Sequence, residues 1–164
     1  MSEREFGPER ILGILAEHGV RCVLIGGFAA VIHGSPYLTT DVDVVPANDR
    51  RNLEHLSDAL HELHAKVWSS SEPEGILFDH SAESLERVST WNLVTDFGRL
   101  DITFRPSGTA GYEDLQRDAT HLMILGVGVD VASLADIIRS KEAAGREKDR
   151  FVLPVLRRLA EEGA

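Results

Sequence analysis

Residues 23–46 read VLIGGFAAVIHGSPYLTTDVDVVP, and this stretch carries most of the information about the architecture. The nearly continuous apolar run at residues 21–25 predicts a short strand that is buried on both faces. Gly26-Gly27 interrupts this strand, and residues 28–33 predict a helix that opens directly after the glycines. A second strand is predicted at residues 41–45, where a proline ends it. The unit is therefore a strand, a glycine turn, a helix and a strand.

Two carboxylates lie on the second of these strands, in the sequence Thr40-Asp41-Val42-Asp43-Val44. Because side chains alternate between the two faces of a strand, Asp41 and Asp43 point to the same side. Two ionised carboxylates on one face repel each other, and a bound divalent cation removes that conflict. Oxygen ligands of this kind suit Mg²⁺ or Mn²⁺. Taken alone, the pair is also compatible with two solvated aspartates at the end of a strand.

Outside this unit the chain alternates between predicted helices and strands. Helices are predicted from Pro8 to a stop at Gly19, from a cap at Asn48 or Asp49 to about Ala65, at residues 112–117, from a cap at Ser133 to about Ala144, and at residues 148–162. Strands are predicted at residues 66–69, 76–79, 90–97, 100–104, 120–125 and 127–131. The pattern indicates an α+β fold, in which a short mixed β-sheet is flanked by helices and is followed by a helical C-terminal portion.

A length of 164 residues favours one domain that covers residues 1–164. Within it we expect a core at about residues 20–131 and C-terminal helices at about residues 133–162.

A third carboxylate, Asp101, lies on the second strand of a predicted hairpin. Residues 90–97 and 100–104 flank Gly98-Arg99, which is predicted to be the turn. The apolar residues of the second strand form one face, so Asp101 lies on the polar face. If this strand pairs beside residues 41–45, three carboxylates converge on one metal site, an arrangement that serves phosphoryl transfer.

Gly26-Gly27 suits a phosphate-binding turn between a strand and a helix. Glycines let the backbone approach a phosphate closely, and a helix N-terminus offers unpaired N–H groups. Neither G-x-G-x-x-G nor G-x-x-x-x-G-K-[ST] occurs at this place, so the dinucleotide fingerprint and the P-loop do not apply. Without the neighbouring carboxylates, a glycine pair after a strand is a simple turn.

The charge balance limits the classes of partner. Lys and Arg total 17 against 27 for Asp and Glu, and the formal net charge of −10 argues against a broad surface that tracks nucleic-acid phosphates. Cys22 is the only cysteine, which excludes an intrachain disulfide and favours a reducing compartment. The charged start of the chain is unlike a secretory signal, and no apolar run approaches the roughly 18 residues of a membrane span. We therefore expect a cytoplasmic protein without a membrane partner.

The order of these motifs resembles that of the DNA polymerase beta-like nucleotidyltransferase superfamily. A strand, Gly26-Gly27 and a helix are followed by Asp41-x-Asp43 on the next strand and by Asp101 on a later strand. The chain is most similar to the small stand-alone bacterial type, including the abortive-infection toxin nucleotidyltransferases. In that group a Gly-Gly pair replaces the commoner Gly-Ser, and a threonine shortly precedes the D-x-D pair, as Thr39 or Thr40 does here.

This resemblance implies a nucleotidyltransferase fold, a site and a reaction. The catalytic and metal-binding residues that it implies are Asp41, Asp43 and Asp101. The nucleotide-binding residues that it implies are Gly26, Gly27, Thr40, Lys141 and Asp149, of which Lys141 would meet the triphosphate and Asp149 would orient it or its neighbours. The reaction would move a nucleoside monophosphate from an NTP to a hydroxyl in the presence of Mg²⁺ or Mn²⁺, with pyrophosphate leaving.

The resemblance also implies partners. It makes tRNA an expected acceptor and a toxin–antitoxin pair an expected context, in which a cognate antitoxin or toxin protein is the partner. A protein hydroxyl and a small aminoglycoside-like molecule remain open as acceptors. The chain departs from the family at Tyr37, where related sequences often have an arginine, and an aromatic ring at that place suits stacking on a base. The departure keeps a second hypothesis open, a catalytically silent binding or antitoxin-like module with the same fold.

Three other chemistries fit the sequence less well. His61 and His64 lie one helical turn apart, but their spacing is not that of the H-E-x-x-H zinc motif. A phosphatase of the haloacid dehalogenase type needs its first aspartate at the end of an apolar strand, whereas Thr39-Thr40 precedes Asp41. Nucleotide-sugar glycosyltransferases use D-x-D with Mn²⁺, but their domains are usually much longer than this chain.

Overall fold

The computed structural model describes residues 5–163, and within them the chain forms seven helices and one seven-stranded sheet. The helices are α1 (Pro8–Glu17), α2 (Gly26–Ile32), α3 (Arg50–Glu62), α4 (Ala82–Leu85), α5 (Tyr112–Asp118), α6 (Leu134–Ala144) and α7 (Glu147–Glu162). The strands are β1 (Cys22–Ile25), β2 (Asp41–Pro46), β3 (Lys66–Val67), β4 (Thr90–Thr95), β5 (Gly98–Thr103), β6 (Thr120–Ile124) and β7 (Val127–Val131). Most of the charged chain start that is unlike a secretory signal, residues 1–4, lies outside the described residues, as does residue 164.

The sheet is mixed, as the sequence predicts, and its strand order is β3-β4-β5-β2-β1-β7-β6. The central strand β2 runs antiparallel to β1 and parallel to β5. Two antiparallel hairpins, β4–β5 and β6–β7, extend the sheet in opposite directions from this centre. The β4–β5 hairpin therefore lies beside β2, and the β6–β7 hairpin, which precedes α6 in the chain, lies beside β1.

The helices cover the sheet with the apolar faces that their sequence periodicity predicts. In α3, the stripe of Leu53, Leu56 and Leu60 is buried, and the carboxylate of Asp49 caps the helix by accepting a hydrogen bond from the N–H of Asn52. Of the two predicted alternatives, Asn48 and Asp49, the second is the cap, and Ser133 caps α6 as predicted. The hydrophobic cluster under the sheet continues into Ile137 of α6 and Leu156 of α7. The C-terminal helices are thus packed against the same core.

The hairpin turn lies two residues earlier than predicted. The turn is predicted at Gly98-Arg99, whereas β4 ends at Thr95 and β5 begins at Gly98, so Asp96 and Phe97 form it. The hydroxyl of Thr95 donates a 2.8 Å hydrogen bond to the Gly98 carbonyl and accepts a 3.0 Å hydrogen bond from the N–H of Phe97. Gly98 is the first residue of β5. It has a φ of +112°, which a glycine adopts without strain.

The region between α3 and the hairpin also differs from the prediction. Of the two strands predicted at residues 66–69 and 76–79, the first is reduced to β3, and the second contributes only an isolated bridge between Ile76 and Val67. The short helix α4, capped by Ser81, was not predicted because four residues are too few to show helical periodicity. Among residues 5–163 no helix is both long and apolar enough to cross a bilayer.

Candidate active site

Two neighbouring strands place three carboxylates at one point of the sheet. In the parallel pairing of β2 with β5, Asp43 lies directly opposite Asp101, and Asp41 lies two residues earlier on the same face of β2. Each of the three residues offers a carboxylate oxygen that lies within 4.8 Å of the other two. The structure therefore brings together the three aspartates that the resemblance assigns to catalysis and metal binding.

Gly26 and Gly27 leave the space that this arrangement needs. Gly26 has a φ of +76°, and a Cβ atom there would lie 2.8 Å from Cγ of Asp43 and would overlap one of its carboxylate oxygens. A Cβ atom on Gly27 would lie 3.2 Å from Oγ1 of Thr39, which is tighter than ordinary van der Waals contact. The glycine pair therefore makes room for Asp43 of β2 and for Thr39 in the segment before β2. This need for space exists with or without a bound ligand.

Thr39 and Arg99 hold two of the carboxylates in place. The hydroxyl of Thr39 donates a 2.8 Å hydrogen bond to Oδ1 of Asp41. The guanidinium of Arg99 donates a 3.0 Å hydrogen bond to Oδ1 of Asp101 and also donates to a backbone carbonyl of β4. Its central carbon lies 3.9 Å from the ring centroid of Trp68, in a cation–π contact. Arg99 is therefore fixed from three directions and orients Asp101.

Burial and mutual repulsion make two of these carboxylates hard to ionise. Burial, with the charges of Asp41 and Asp101, raises the pKa of Asp43 to about 7, although Lys148 and Lys141 oppose the shift. Burial also raises the pKa of Asp101 to about 6, although the positive charge of Arg99 opposes the shift. At neutral pH the three aspartates therefore favour a bound cation that offsets their repulsion.

The raised pKa of Asp43 predicts that the metal-free protein loses stability as the pH rises. The folded state retains this proton up to about pH 7, whereas the unfolded chain releases it near pH 3.8. Between these values the folded state binds more protons, so the free energy of unfolding decreases with increasing pH. Asp43→Asn removes the titrating group and is expected to flatten this part of the profile.

Urea unfolding in the presence of a chelator, at about pH 5 and about pH 8, measures this effect. The extra loss of stability in the wild type is expected to be on the order of a few kcal/mol. Mg²⁺ added at the higher pH should restore stability to the wild type and not to Asp43→Asn. The charge-matched control is Asp58→Asn, at an exposed position of α3. Parallel pH profiles for the wild type and Asp43→Asn would contradict the prediction.

The donor atoms of the three aspartates fit a divalent cation. Carboxylate oxygens are hard ligands, and such a set suits Mg²⁺ or Mn²⁺ better than a softer metal. Within residues 5–163 these three form the group of His, Cys, Asp or Glu side chains that is close enough to hold an ion. His61 and His64 are not part of such a group among the described residues, so the structure gives the zinc interpretation no support.

Asp149 is a buried anchor for two basic side chains. Its carboxylate is 0 % exposed and accepts a 2.7 Å hydrogen bond from Nε of Arg146, while Nζ of Lys141 lies 3.5 Å from its other oxygen. Burial raises the pKa of Asp149, but the hydrogen bonds and charge of Arg146 and the charge of Lys141 outweigh burial and lower it overall. Asp149 thus positions Lys141 and Arg146, and its own carboxylate is turned away from solvent.

The aspartates lie in a cleft of about 820 Å³ whose two sides have different origins. One side consists of β4, β5 and Trp68, and the other consists of α6, α7 and the loop that carries Tyr37 and Leu38. Among the described residues, the cleft is lined by four aspartates and by the basic side chains of Arg99, Arg105, Lys141, Arg146 and Lys148. The cleft is therefore much less negative than a chain of net charge −10 would suggest, and it can accept an anionic ligand.

Only part of this arrangement was expected. Thr40, which the resemblance assigns to nucleotide binding, is exposed and is not among the described residues that line the cleft, whereas Thr39 lines the cleft and contacts Asp41. Arg99 was not predicted as a site residue, although its position two residues before Asp101, on the same strand face, is a recognisable signal. Trp68 has no sequence signal, because its contact with Arg99 joins the residue after β3 to β5 across an intervening strand.

No protein-family model matches the sequence, and no curated protein matches it either. Solved structures that are similar to the chain include the following two. The candidate nucleotidyltransferase TM1012 from Thermotoga maritima has a TM-score of 0.55 at 17% identity, and the match covers 94% of this chain and 90% of that protein. The lincosamide antibiotic adenylyltransferase LnuA, bound to lincomycin, has a TM-score of 0.61 at 15% identity, with 94% and 99% covered. At such identities the likeness is one of architecture, and the chain has the nucleotidyltransferase fold.

Proposed function

We propose that the protein is a Mg²⁺-dependent nucleotidyltransferase that moves a nucleoside monophosphate from an NTP to a hydroxyl acceptor. The observation that carries the proposal is the convergence of Asp41, Asp43 and Asp101 within 4.8 Å, in a cleft that also contains basic side chains. Like charges that are partly buried together destabilise a fold, so their apposition is best explained by a cationic ligand. The match in architecture to LnuA, an adenylyltransferase, supports the same reaction class.

In the proposed reaction, the oxygen of the acceptor hydroxyl attacks the α-phosphorus and forms a new P–O bond. The bond from the α-phosphorus to the oxygen that bridges to the β-phosphate breaks, and pyrophosphate leaves with that electron pair. The hydroxyl proton passes to the carboxylate of Asp101, whose pKa is raised to about 6 and which lies on the β4–β5 side of the cleft. Arg99 donates a hydrogen bond to Oδ1 of this carboxylate and holds it in position.

The metal ion would be held by Asp41, Asp43 and Asp101, and when bound it would supply positive charge against the phosphate oxygens. Thr39 keeps Asp41 in position through its hydrogen bond. Because Gly26 has no side chain, Asp43 can occupy its place beside the start of α2.

The phosphates would be bound by the basic side chains of α6 and α7. Lys141 and Lys148 line the cleft and are close enough to Asp43 for their charges to act on its carboxylate. A lysine acts on phosphate as a point charge, and Asp149 restricts Lys141 to the cleft wall. In this proposal Asp149 contributes to nucleotide binding through Lys141 and Arg146 and makes no direct contact with the phosphates.

The acceptor is proposed to be a hydroxyl that enters the cleft without an extended nucleic-acid footprint. The net charge of −10 disfavours a wide phosphate-binding surface, and about 820 Å³ is a volume typical of small-molecule sites. The terminal hydroxyl of a tRNA and a small polyhydroxyl compound both meet this condition. The tRNA acceptor corresponds to a toxin in a toxin–antitoxin pair. A hydroxyl of a cognate partner protein is the remaining acceptor class.

The test uses nucleoside triphosphates that are radiolabelled at the α-phosphate, offered with Mg²⁺ and with total tRNA, hydroxylated antibiotics or partner protein. Label is expected to enter one acceptor class, with release of pyrophosphate, and to disappear when a chelator is added. Triphosphates labelled at the γ-phosphate are the control, since nucleotidyl transfer leaves their label in pyrophosphate. Binding of nucleotide that depends on Mg²⁺, with no labelled product from any acceptor, would instead favour the catalytically silent module.

A further inference from the structure

Large apolar side chains are exposed at one edge of the cleft. Leu38 is 96% exposed and Phe151 is 66% exposed. The ring of Tyr37 lies against that of Phe151, with centroids 5.1 Å apart and an angle of 53° between the planes. Tyr37 and Leu38 line the cleft, as does Val152, the residue after Phe151. An exposed group of this kind next to a cleft is typical of a ligand contact.

The aromatic pair lies on the side of the cleft that carries the phosphate-binding lysines. Lys148 and Phe151 are three residues apart on α7, a spacing that places both on one face of the helix. Lys148 and Lys141 act on Asp43, whereas the charge beside Asp101 comes from Arg99. The carboxylate cluster therefore has lysines on its α6–α7 side and an arginine that contacts Trp68 on its β4–β5 side. The aromatic pair lies at the cleft edge on the first of these sides.

We infer that Tyr37 and Phe151 bind the nucleobase of the nucleoside triphosphate, with Leu38 at the edge of this base subsite. The inference rests on the proposed function, which places the phosphates between Asp43 and the lysines of α6 and α7. A base attached to that phosphate chain has an apolar aromatic wall beside it on the same side of the cleft. Stacking accepts every base because each has a π-face, so the subsite contributes affinity more than base preference.

Other occupants fit the patch less well. A second protein copy needs a contact area far larger than three side chains provide, since stable interfaces bury about 800 Å² per partner. An acceptor hydroxyl would have to approach from the side of Asp101, the proton acceptor, and that side carries Arg99 and Trp68.

The test compares two probes that share phosphates and differ in the base. Binding of α,β-methylene analogues of ATP, GTP, CTP and UTP is measured by titration calorimetry with Mg²⁺, beside binding of inorganic tripolyphosphate. Phe151→Ala and Tyr37→Ala are expected to weaken binding of the analogues by about tenfold or more, and to leave tripolyphosphate binding unchanged. Tyr37→Phe is expected to retain wild-type affinity because the ring is preserved. Met123→Ala, on an exposed apolar side chain of β6, is the matched control and is expected to change neither affinity.

The outcomes separate the base subsite from the proposed function. If the wild type binds the analogues no more tightly than tripolyphosphate, or if Phe151→Ala weakens both probes equally, the base subsite is overturned and the phosphate site stands. If neither probe binds the wild type, the proposed function fails as well. A change in oligomeric state of Phe151→Ala on gel filtration, with unchanged analogue binding, would assign the patch to self-association and would also overturn the inference.

Discussion

Asp43→Asn is expected to lower the rate of nucleotidyl transfer by at least about a thousandfold, because charge stabilisation worth several kcal/mol depends on the metal. Asp43 adjoins both other carboxylates: it pairs in register with Asp101 and shares its strand face with Asp41. An asparagine of the same size preserves packing but removes one of the negative charges that bind the cation. The measurement is the rate of transfer from an α-labelled NTP under saturating Mg²⁺.

The control for this variant separates chemistry from folding. Asp58→Asn makes the same chemical change at an exposed position of α3 and is expected to retain the wild-type rate. Circular dichroism and thermal unfolding should show that Asp43→Asn is folded, and in the metal-free state it should be the more stable protein because a buried repulsion is relieved. A transfer rate for Asp43→Asn close to that of the wild type would remove Asp43 from the mechanism.

Gly26→Ala is expected to destabilise the protein by about 3 kcal/mol, the combined effect of a left-handed backbone and an overpacked contact. The φ of +76° is unfavourable for alanine, and the new Cβ atom would lie 2.8 Å from Cγ of Asp43. For a chain of this length, such a loss lowers the midpoint of thermal unfolding by about 6–12 °C. Transfer activity is also expected to fall, because the collision displaces a metal-binding carboxylate.

Gly126→Ala is the matched control for the destabilisation that comes from the left-handed backbone alone. Gly126 has a φ of +86°, close to that of Gly26, but a Cβ atom there would meet no atom within 4 Å. It should therefore show the cost of the left-handed conformation, about 1–2 kcal/mol, and no loss of activity. The difference between the two variants measures the collision with Asp43. Equal destabilisation by both would show that Asp43 is not in contact with the glycine turn in solution.

The helices and strands that the sequence predicts best are those whose pattern is long or regular. The leucine stripe of α3 and its Asp49 cap, the two strands of the β6–β7 hairpin and the Ser133 cap of α6 all follow from local spacing and capping chemistry. The elements that were predicted wrongly are short or depend on the position of a single turn. The β4–β5 turn was misplaced because the hydroxyl of Thr95, which bridges Phe97 and Gly98, is a contact that alternation does not reveal.

In the candidate site, too, some features follow from local sequence pattern and others only from the tertiary structure. Alternation along a strand places Asp41 and Asp43 on one face, and the same rule places Asp101 on the polar face of its own strand. Whether those faces meet depends on the sheet order. The parallel pairing of β2 with β5 joins segments far apart in the chain, and it is set by the burial of both strands in one core and by the covering helices.

Residue types and local periodicity were thus enough to establish the strand–glycine–helix–strand unit, the shared face of Asp41 and Asp43, and the polar position of Asp101. The tertiary structure was needed to show that Gly26 makes room for Asp43, that Asp149 restrains Lys141, and that Phe151 meets Tyr37. The physical reason is the range of the interactions. Alternation, capping and turn chemistry act between residues a few positions apart, whereas each of these contacts joins elements that come together only when the whole core is buried.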